Sequence, residues 1–221
     1  MRNPPRCVLL SAPAATQRWF MQRGLPGVLV GSPHPGIALP ALDADFAAMG
    51  QHAAQQFLSR GHRRLAVLVP KTDKAGDANT VAAFRAACER TDDAQVQVIE
   101  HDGTPAGIRR CLETALKKSL PTGLLVAHPG PVLTVMSFLT SRGVRVPRDI
   151  SIISRDSEPL LDFIVPPLTR YAVAPAAFAR NLSRIVLHLA RGEPVPARSR
   201  LLMPRFVPGG TLAYLSGKKT G

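Results

Sequence analysis

Short, solid runs of aliphatic residues alternate along this chain with longer stretches in which apolar positions return every third or fourth residue. The solid runs fall at 7–10, 27–30, 65–69, 96–99, 123–127, 150–154 and 170–173, with a last one near 200–203. Runs this short and this rich in Val, Ile and Leu predict parallel strands buried on both faces. The intervening stretches predict helices. Over 45–60, Phe46, Met49, Ala53 and Phe57 share one helical face, and Gly61 ends it. Val81, Phe84 and Cys88 mark a second helix. Thr104 and Pro105 read as N-cap and first residue of a third, with Ile108, Cys111, Leu112 and Ala115 on its apolar face. A fourth spans 131–142 and stops at Gly143. A fifth spans 176–191, carries Phe178, Leu182, Ile185 and Leu189, and stops at Gly192. Regular strand–helix alternation predicts an α/β fold with parallel sheets. The Pro- and Gly-rich pieces at 33–40, 166–167 and 194–196 are expected where the chain crosses between two lobes, and 216–221 is expected to be a polar tail.

Composition narrows the classes. With 221 residues, 45% of them hydrophobic, the chain is long enough to bury a core, so disorder is excluded as its main state. A net charge of +13 points to a polyanion partner, or to work close to one. Cys7, Cys88 and Cys111 are odd in number and far apart. They form no CxxC, and no Cys/His cluster has zinc spacing, so neither a disulfide framework nor a metal is expected. The basic start imitates a signal peptide, but its apolar run covers only residues 7–10. No stretch approaches the ~20 apolar residues of a membrane helix. A reduced, cytoplasmic location is therefore expected.

Catalytic chemistry has nothing to stand on. GxSxG, HExxH, the P-loop and GxGxxG are absent. His34, His52, His62, His101, His128 and His188 are scattered and read as structural unless the fold gathers them. Asp92-Asp93 reads as a solvated turn. No enzyme activity and no cofactor is expected.

Two segments carry more information, 24–68 and 122–175. They contain Gly61-His62-Arg63-Arg64 before a strand, residues 143–147 reading GVRVP, then Asp149-Ile150-Ser151, and residues 166–169 reading PPLT. In this order and spacing they resemble the effector-binding region of the LacI/GalR family of bacterial transcription regulators, over residues 4–212. The motifs also have plain folding roles. Gly61 and Gly143 stop helices, the cations after Gly61 suit a helix C-terminus, and Pro147 forbids resumption.

The resemblance implies a type I periplasmic-binding-protein-like fold of two α/β lobes with a ligand cleft between them. Residues 1–43 and 169–197 would form one lobe, and 44–168 with 198–215 the other. It also implies that the DNA-binding head lies outside this chain, and that the opening elements of the first lobe either lie outside it as well, the favoured reading, or are missing from a reduced lobe. The expected function is the effector-sensing and dimerising portion of a regulator: a small-molecule effector, a homodimer, and DNA contact only through the head. An extracytoplasmic solute-binding protein of the same fold is the alternative.

Strand ends define the expected site. His128 follows 123–127, Arg155 and Asp156 follow 150–154, Ser32 follows 27–30 and Lys71 follows 65–69; in a parallel sheet such residues emerge at one edge. Sugar-binding family members typically carry Asn-Asp where this chain has His128-Pro129, an Arg where it has Thr80, and aromatic-Asp-Asp where it has Arg155-Asp156-Ser157. The effector site is therefore expected at Asp156, Arg155 and His128, with Ser32, Lys71 and Thr80 near the rim, for a ligand that is sugar-like or acidic. Asp156 would accept from hydroxyl or ammonium groups, Arg155 would pair with an anion, and His128 would donate or accept. Alternatively, Asp156 and Arg155 neutralise each other, or Arg155 faces outward. Because neighbouring strand residues point to opposite sides, one of the pair entering the site is favoured over both, and if only one enters it is expected to be Asp156. Asp156→Ala is then expected to remove the effector response while leaving the melting temperature nearly unchanged.

Overall fold

A computed structural model describes residues 6–193 and 199–215. In chain order the elements are β1 (Cys7–Leu10), α1 (Ala14–Gln22), β2 (Gly27–Val30), β3 (Ala41–Ala44), α2 (Phe46–Leu58), β4 (Arg64–Pro70), α3 (Ala75–Cys88), β5 (Gln95–His101), α4 (Pro105–Lys118), β6 (Gly123–Val126), α5 (Pro129–Ser141), β7 (Ser151–Ser154), a 3-10 turn (Pro159–Phe163), β8 (Thr169–Ala172), α6 (Pro175–Arg191), β9 (Arg200–Leu202) and β10 (Arg205–Val207). They make two sheets. One has the order β1-β2-β3-β9, the other β10-β8-β7-β6-β4-β5. Parallel pairing joins β1, β2, β3 and β9 in the first, and β5, β4, β6, β7 and β8 in the second. The α/β class with parallel sheets is as the sequence predicts.

The chain divides into two compact units. The smaller comprises Met1–Phe46, Thr72–Ala78 and Val173–Arg205; the larger comprises Ala47–Lys71, Asn79–Ala172 and Phe206–Gly221. The division differs from the expected boundaries in ways that hydrogen bonding explains. Residues 169–172 were expected in the first lobe, but β8 pairs with β7 through Ile153↔Thr169 and Ser154↔Arg170. Residues from 198 on were expected in the second, but β9 pairs with β3 through Leu42↔Arg200 and Ala44↔Leu202. A strand belongs where its backbone donors and acceptors are met. Two of the three Pro-rich segments do not mark the crossings. Residues 33–40 join β2 to β3 within the smaller unit, and 166–167 precede β8 within the larger. The segment 194–196 and the tail 216–221 lie outside the described residues.

Besides the 3-10 turn, three elements escape the sequence reading. β3 is short and carries Asp43 within ALDA, α1 has no side-chain cap and an uneven polar pattern, and β10 is only three residues long. The predicted helix stops hold: Gly61, Gly143 and Gly192 have φ of +86°, +69° and +76°, in the region that favours glycine. Thr104 caps α4 by accepting from the Gly107 N–H at 2.9 Å. Arg63 donates to the Leu58 carbonyl at 3.0 Å, so the basic residues after Gly61 close the end of α2, as expected.

The larger unit holds a core built on one face of its sheet by Leu68, Leu124, Val126 and Ile152, packed against Ile108 and Leu112 of α4 and Val132, Val135 and Leu139 of α5. Every residue of β6 and β7 is buried. Each such Leu, Ile or Val contributes about 1.5–3 kcal/mol by leaving water. On this frame the carboxyl ends of β4, β6 and β7 are fixed side by side.

Candidate ligand-binding site

β6 runs out at Val126, and the Ala127 N–H still bonds the Leu68 carbonyl at 2.9 Å. The next residue, His128, turns the chain sharply with φ +66° and ψ 147°, ahead of Pro129 at the start of α5. That conformation costs a side-chain-bearing residue about 1–3 kcal/mol. It is held by Asp156, whose Oδ2 accepts from the His128 backbone N–H at 3.2 Å. Asp156 is itself fixed by the turn after β7. The Arg155 N–H bonds the Val126 carbonyl at 2.9 Å, and the Ser154 hydroxyl donates to the Asp156 carbonyl at 2.7 Å.

Arg155 is at the centre. Its side chain is only 1% exposed, and among the described residues it is the largest of the fully buried side chains. The guanidinium donates to Asp156 Oδ2 at 3.0 Å, to the Thr80 hydroxyl at 3.2 Å and to His128 Nε2 at 3.4 Å. The His128 Nδ1 lies 3.7 Å from the same Asp156 oxygen. A buried guanidinium needs such a counter-charge and a set of acceptors, because its desolvation is costly. Side-chain exposure then separates the members: 26% for Asp156 and 32% for His128 against 1% for Arg155. The open side of the cluster thus shows a carboxylate and an imidazole, with the cation behind them.

Four of the six expected residues therefore meet: Asp156, Arg155, His128 and Thr80. Arg155 and Asp156 both turn into the cluster, although only Asp156 keeps a partly exposed side chain. β7 ends at Ser154, so the alternation of an extended strand no longer governs the two residues that follow. They reach the same partners from a bend. The alternative that the pair neutralise each other is realised as well. Lys71 is exposed at the end of β4, where its N–H bonds the His101 carbonyl at 2.8 Å, and none of its described contacts reaches the cluster. Ser32 belongs to the smaller unit, where its hydroxyl donates to Asp43 Oδ2 at 2.7 Å.

Asp43 and Gln17 had no place in the sequence reading. Gln17 is 1% exposed and pins the loop after β2, donating to the Ala12 and Ser32 carbonyls and accepting from the His34 N–H at 3.0 Å. A carboxylate at a strand end was the available signal for Asp43, hidden because β3 itself was not recognised. His52 and His62 are structural. His52 Nδ1 bonds the Tyr171 hydroxyl at 2.7 Å, and burial, then the Arg60 cation, lowers its pKa. His62 Nε2 bonds the Ala213 carbonyl at 3.0 Å, and burial lowers its pKa too. Among the described residues no group of His, Cys, Asp and Glu is placed to hold a metal ion, and no helix is long and apolar enough to cross a membrane.

The model of the periplasmic binding protein-like domain matches residues 54–212, well over half of the chain. The chain belongs to that family. An HTH-type transcriptional regulator of Streptomyces lividans, reg1, is 25% identical over 203 residues, covering 89% of this chain and 59% of the regulator. A LacI family transcriptional regulator from Bifidobacterium animalis superposes with a TM-score of 0.83 at 20% identity, covering 95% of this chain and 78% of that one. A LacI family regulator from Enterococcus faecium with bound ribose superposes with a TM-score of 0.79 at 18% identity, covering 95% and 80%. The LacI-type resemblance and fold read from GHRR, GVRVP and PPLT are borne out. This chain spans about three fifths of the length of the Streptomyces regulator, and an HTH-type transcriptional repressor, PurR of Vibrio atlanticus, is another regulator that it resembles, at 24% identity over 170 residues.

Proposed function

We propose that this chain is the effector-sensing portion of a cytoplasmic transcription regulator, and that the effector is a small hydroxyl-bearing molecule held at Asp156 and His128. The observation that carries the reading is the partly open carboxylate and imidazole at the carboxyl edge of β6 and β7, locked from behind by a buried arginine. Open α/β sheets bind ligands at such edges. Family membership and the ribose-bound relative support the same reading.

The effector acts by binding one conformation of the domain better than another and so shifting the population. Specific DNA reading is assigned to a separate head, and the +13 charge of this chain adds only weak, salt-sensitive attraction to DNA. The working form is a homodimer. The apolar Leu160, Phe163 and Val165, at 55%, 83% and 88% exposure around the 3-10 turn, support an association surface there.

Calorimetric titration with ribose, cellobiose and a panel of pentoses and hexoses tests the proposal. At least one sugar is expected to bind, and Asp156→Asn, which keeps the size and an acceptor, should weaken it about tenfold or more, near 1.4 kcal/mol. Undiminished binding by Asp156→Asn would place the effector elsewhere.

A further inference from the structure

We propose that Arg155 is a positioning residue rather than a ligand anchor: it fixes His128 as the neutral imidazole with its proton on Nδ1 and presents Asp156 as the acceptor, so that the site takes neutral or cationic hydroxyl-bearing ligands and turns away anions. The ligand class deepens the proposed function and rests on it; the tautomer does not.

The chemistry of the guanidinium carries the first half. It has five N–H donors and no acceptor. Its contact with His128 Nε2 at 3.4 Å therefore requires a lone pair on Nε2. The ring proton is then on Nδ1, the nitrogen that lies 3.7 Å from Asp156 Oδ2. A doubly protonated ring would turn an N–H against the guanidinium and set two cations side by side. One arginine thus determines which imidazole nitrogen donates and toward which carboxylate.

Burial carries the second half. At 1% exposure the Arg155 side chain offers a ligand no surface, whereas Asp156 and His128 do. Asp156 Oδ2 receives the guanidinium at 3.0 Å and the His128 backbone N–H at 3.2 Å, which fixes the carboxylate in one orientation. An anionic ligand approaching this edge meets the carboxylate first and the cation only through it, a like-charge juxtaposition that disfavours binding. A hydroxyl or ammonium group meets an oriented acceptor. This reverses the expectation from sequence that Arg155 would recruit an acidic ligand.

Heteronuclear NMR correlating the ring protons of His128 with both of its nitrogens, recorded on the whole chain near neutral pH, decides the tautomer. The expected spectrum has Nδ1 protonated and Nε2 bare. In Arg155→Met, which keeps a long side chain but removes every N–H donor, the ring is expected to shift toward the Nε2–H form. A protonated Nε2 in the unsubstituted chain overturns the proposal, and so does a tautomer that ignores Arg155→Met. The ligand half is read with glucose, ribose and cellobiose, each as the neutral sugar, its amino sugar and its aldonic acid, by thermal shift and titration at matched ionic strength. The acids are expected to bind about tenfold or more below their neutral partners. An acid that binds better than its sugar overturns the specificity. If every compound is silent while the spectrum shows Nδ1–H, the proposed function fails and the positioning role of Arg155 stands.

Discussion

The two sheets are made from similar aliphatic runs, yet they are buried differently. Every residue of β6 and β7, near the middle of the six-stranded sheet, is out of contact with solvent. In the four-stranded sheet β1 alternates, with Val8 at 39% and Leu10 at 72% exposure. CVLL and GLLV look alike as sequences. Place in the strand order separates them: among the described residues β1 lies at an edge, whereas β6 has β4 and β7 on either side. An apolar run announces a strand without saying how many of its faces and edges are covered. The contrast also bears on the site. The strained turn at His128 and the buried charge of Arg155 are costly features, and they follow the two strands that are buried along their whole length.

The largest test of this contrast removes equal side chains from the two sheets. Leu125 in β6 is 0% exposed, and Leu125→Ala should cost about 2–5 kcal/mol in denaturant unfolding. Leu10→Ala in β1 should stay within about 0.5 kcal/mol. Equal losses would break the comparison.

A smaller effect is expected where α2 meets α3. A Cβ added at Gly50 would lie 2.4 Å from the Thr80 carbonyl oxygen. Gly50→Ala must push the two helices apart at a cost of about 1–3 kcal/mol, and in doing so draw the Thr80 hydroxyl away from Arg155. In the smaller unit, a Cβ at Gly36 meets nothing within 4 Å and carries only the strain of φ +77°, about 1 kcal/mol. Melting curves of the two variants, with effector titration of Gly50→Ala, check both statements. Weakened effector binding is expected only for Gly50→Ala.

The smallest effect is a pH dependence within the larger unit. Arg145 holds Asp149 in a two-pronged ion pair at 2.7 Å and lowers its pKa from 3.8 to about 2. A carboxylate whose folded pKa is depressed contributes stability above its unfolded value, and that contribution is lost as pH falls through the folded one. Asp149→Asn should therefore melt slightly below the unsubstituted protein at pH 6, with the gap closing between about pH 4 and pH 2 and narrowing in high salt. A gap that persists at pH 2 would show that the pair is not its source.

Much of the fold was legible because its signals are local. Gly61, Gly143 and Gly192 stop helices, Thr104-Pro105 starts one, and solid aliphatic runs mark the central strands. The boundaries between units were not legible, since β8 and β9 are assigned by backbone pairing with strands distant in sequence. Proline content at 33–40 says nothing about such pairing. At the site, strand ends led to His128, Arg155 and Asp156, and the family pattern led to Thr80. The direction of each side chain was beyond reach, because the bend after Ser154 suspends the alternation on which the expectation relied. That bend also changes what Asp156→Ala should do. Asp156 now counterbalances a buried guanidinium, so removing it should lower the melting temperature rather than leave it unchanged. Asp156→Asn is the better probe of ligand contact.

The central claim is that Asp156 and His128 face the effector, with the buried Arg155 and Thr80 behind them. Backbone amide shifts of the whole chain, followed while the tightest-binding sugar of the panel is added, test it most directly. The account predicts that the amides of His128, Arg155 and Asp156 are among the most strongly shifted, with Thr80 following. Saturating binding that leaves all four unshifted would contradict it.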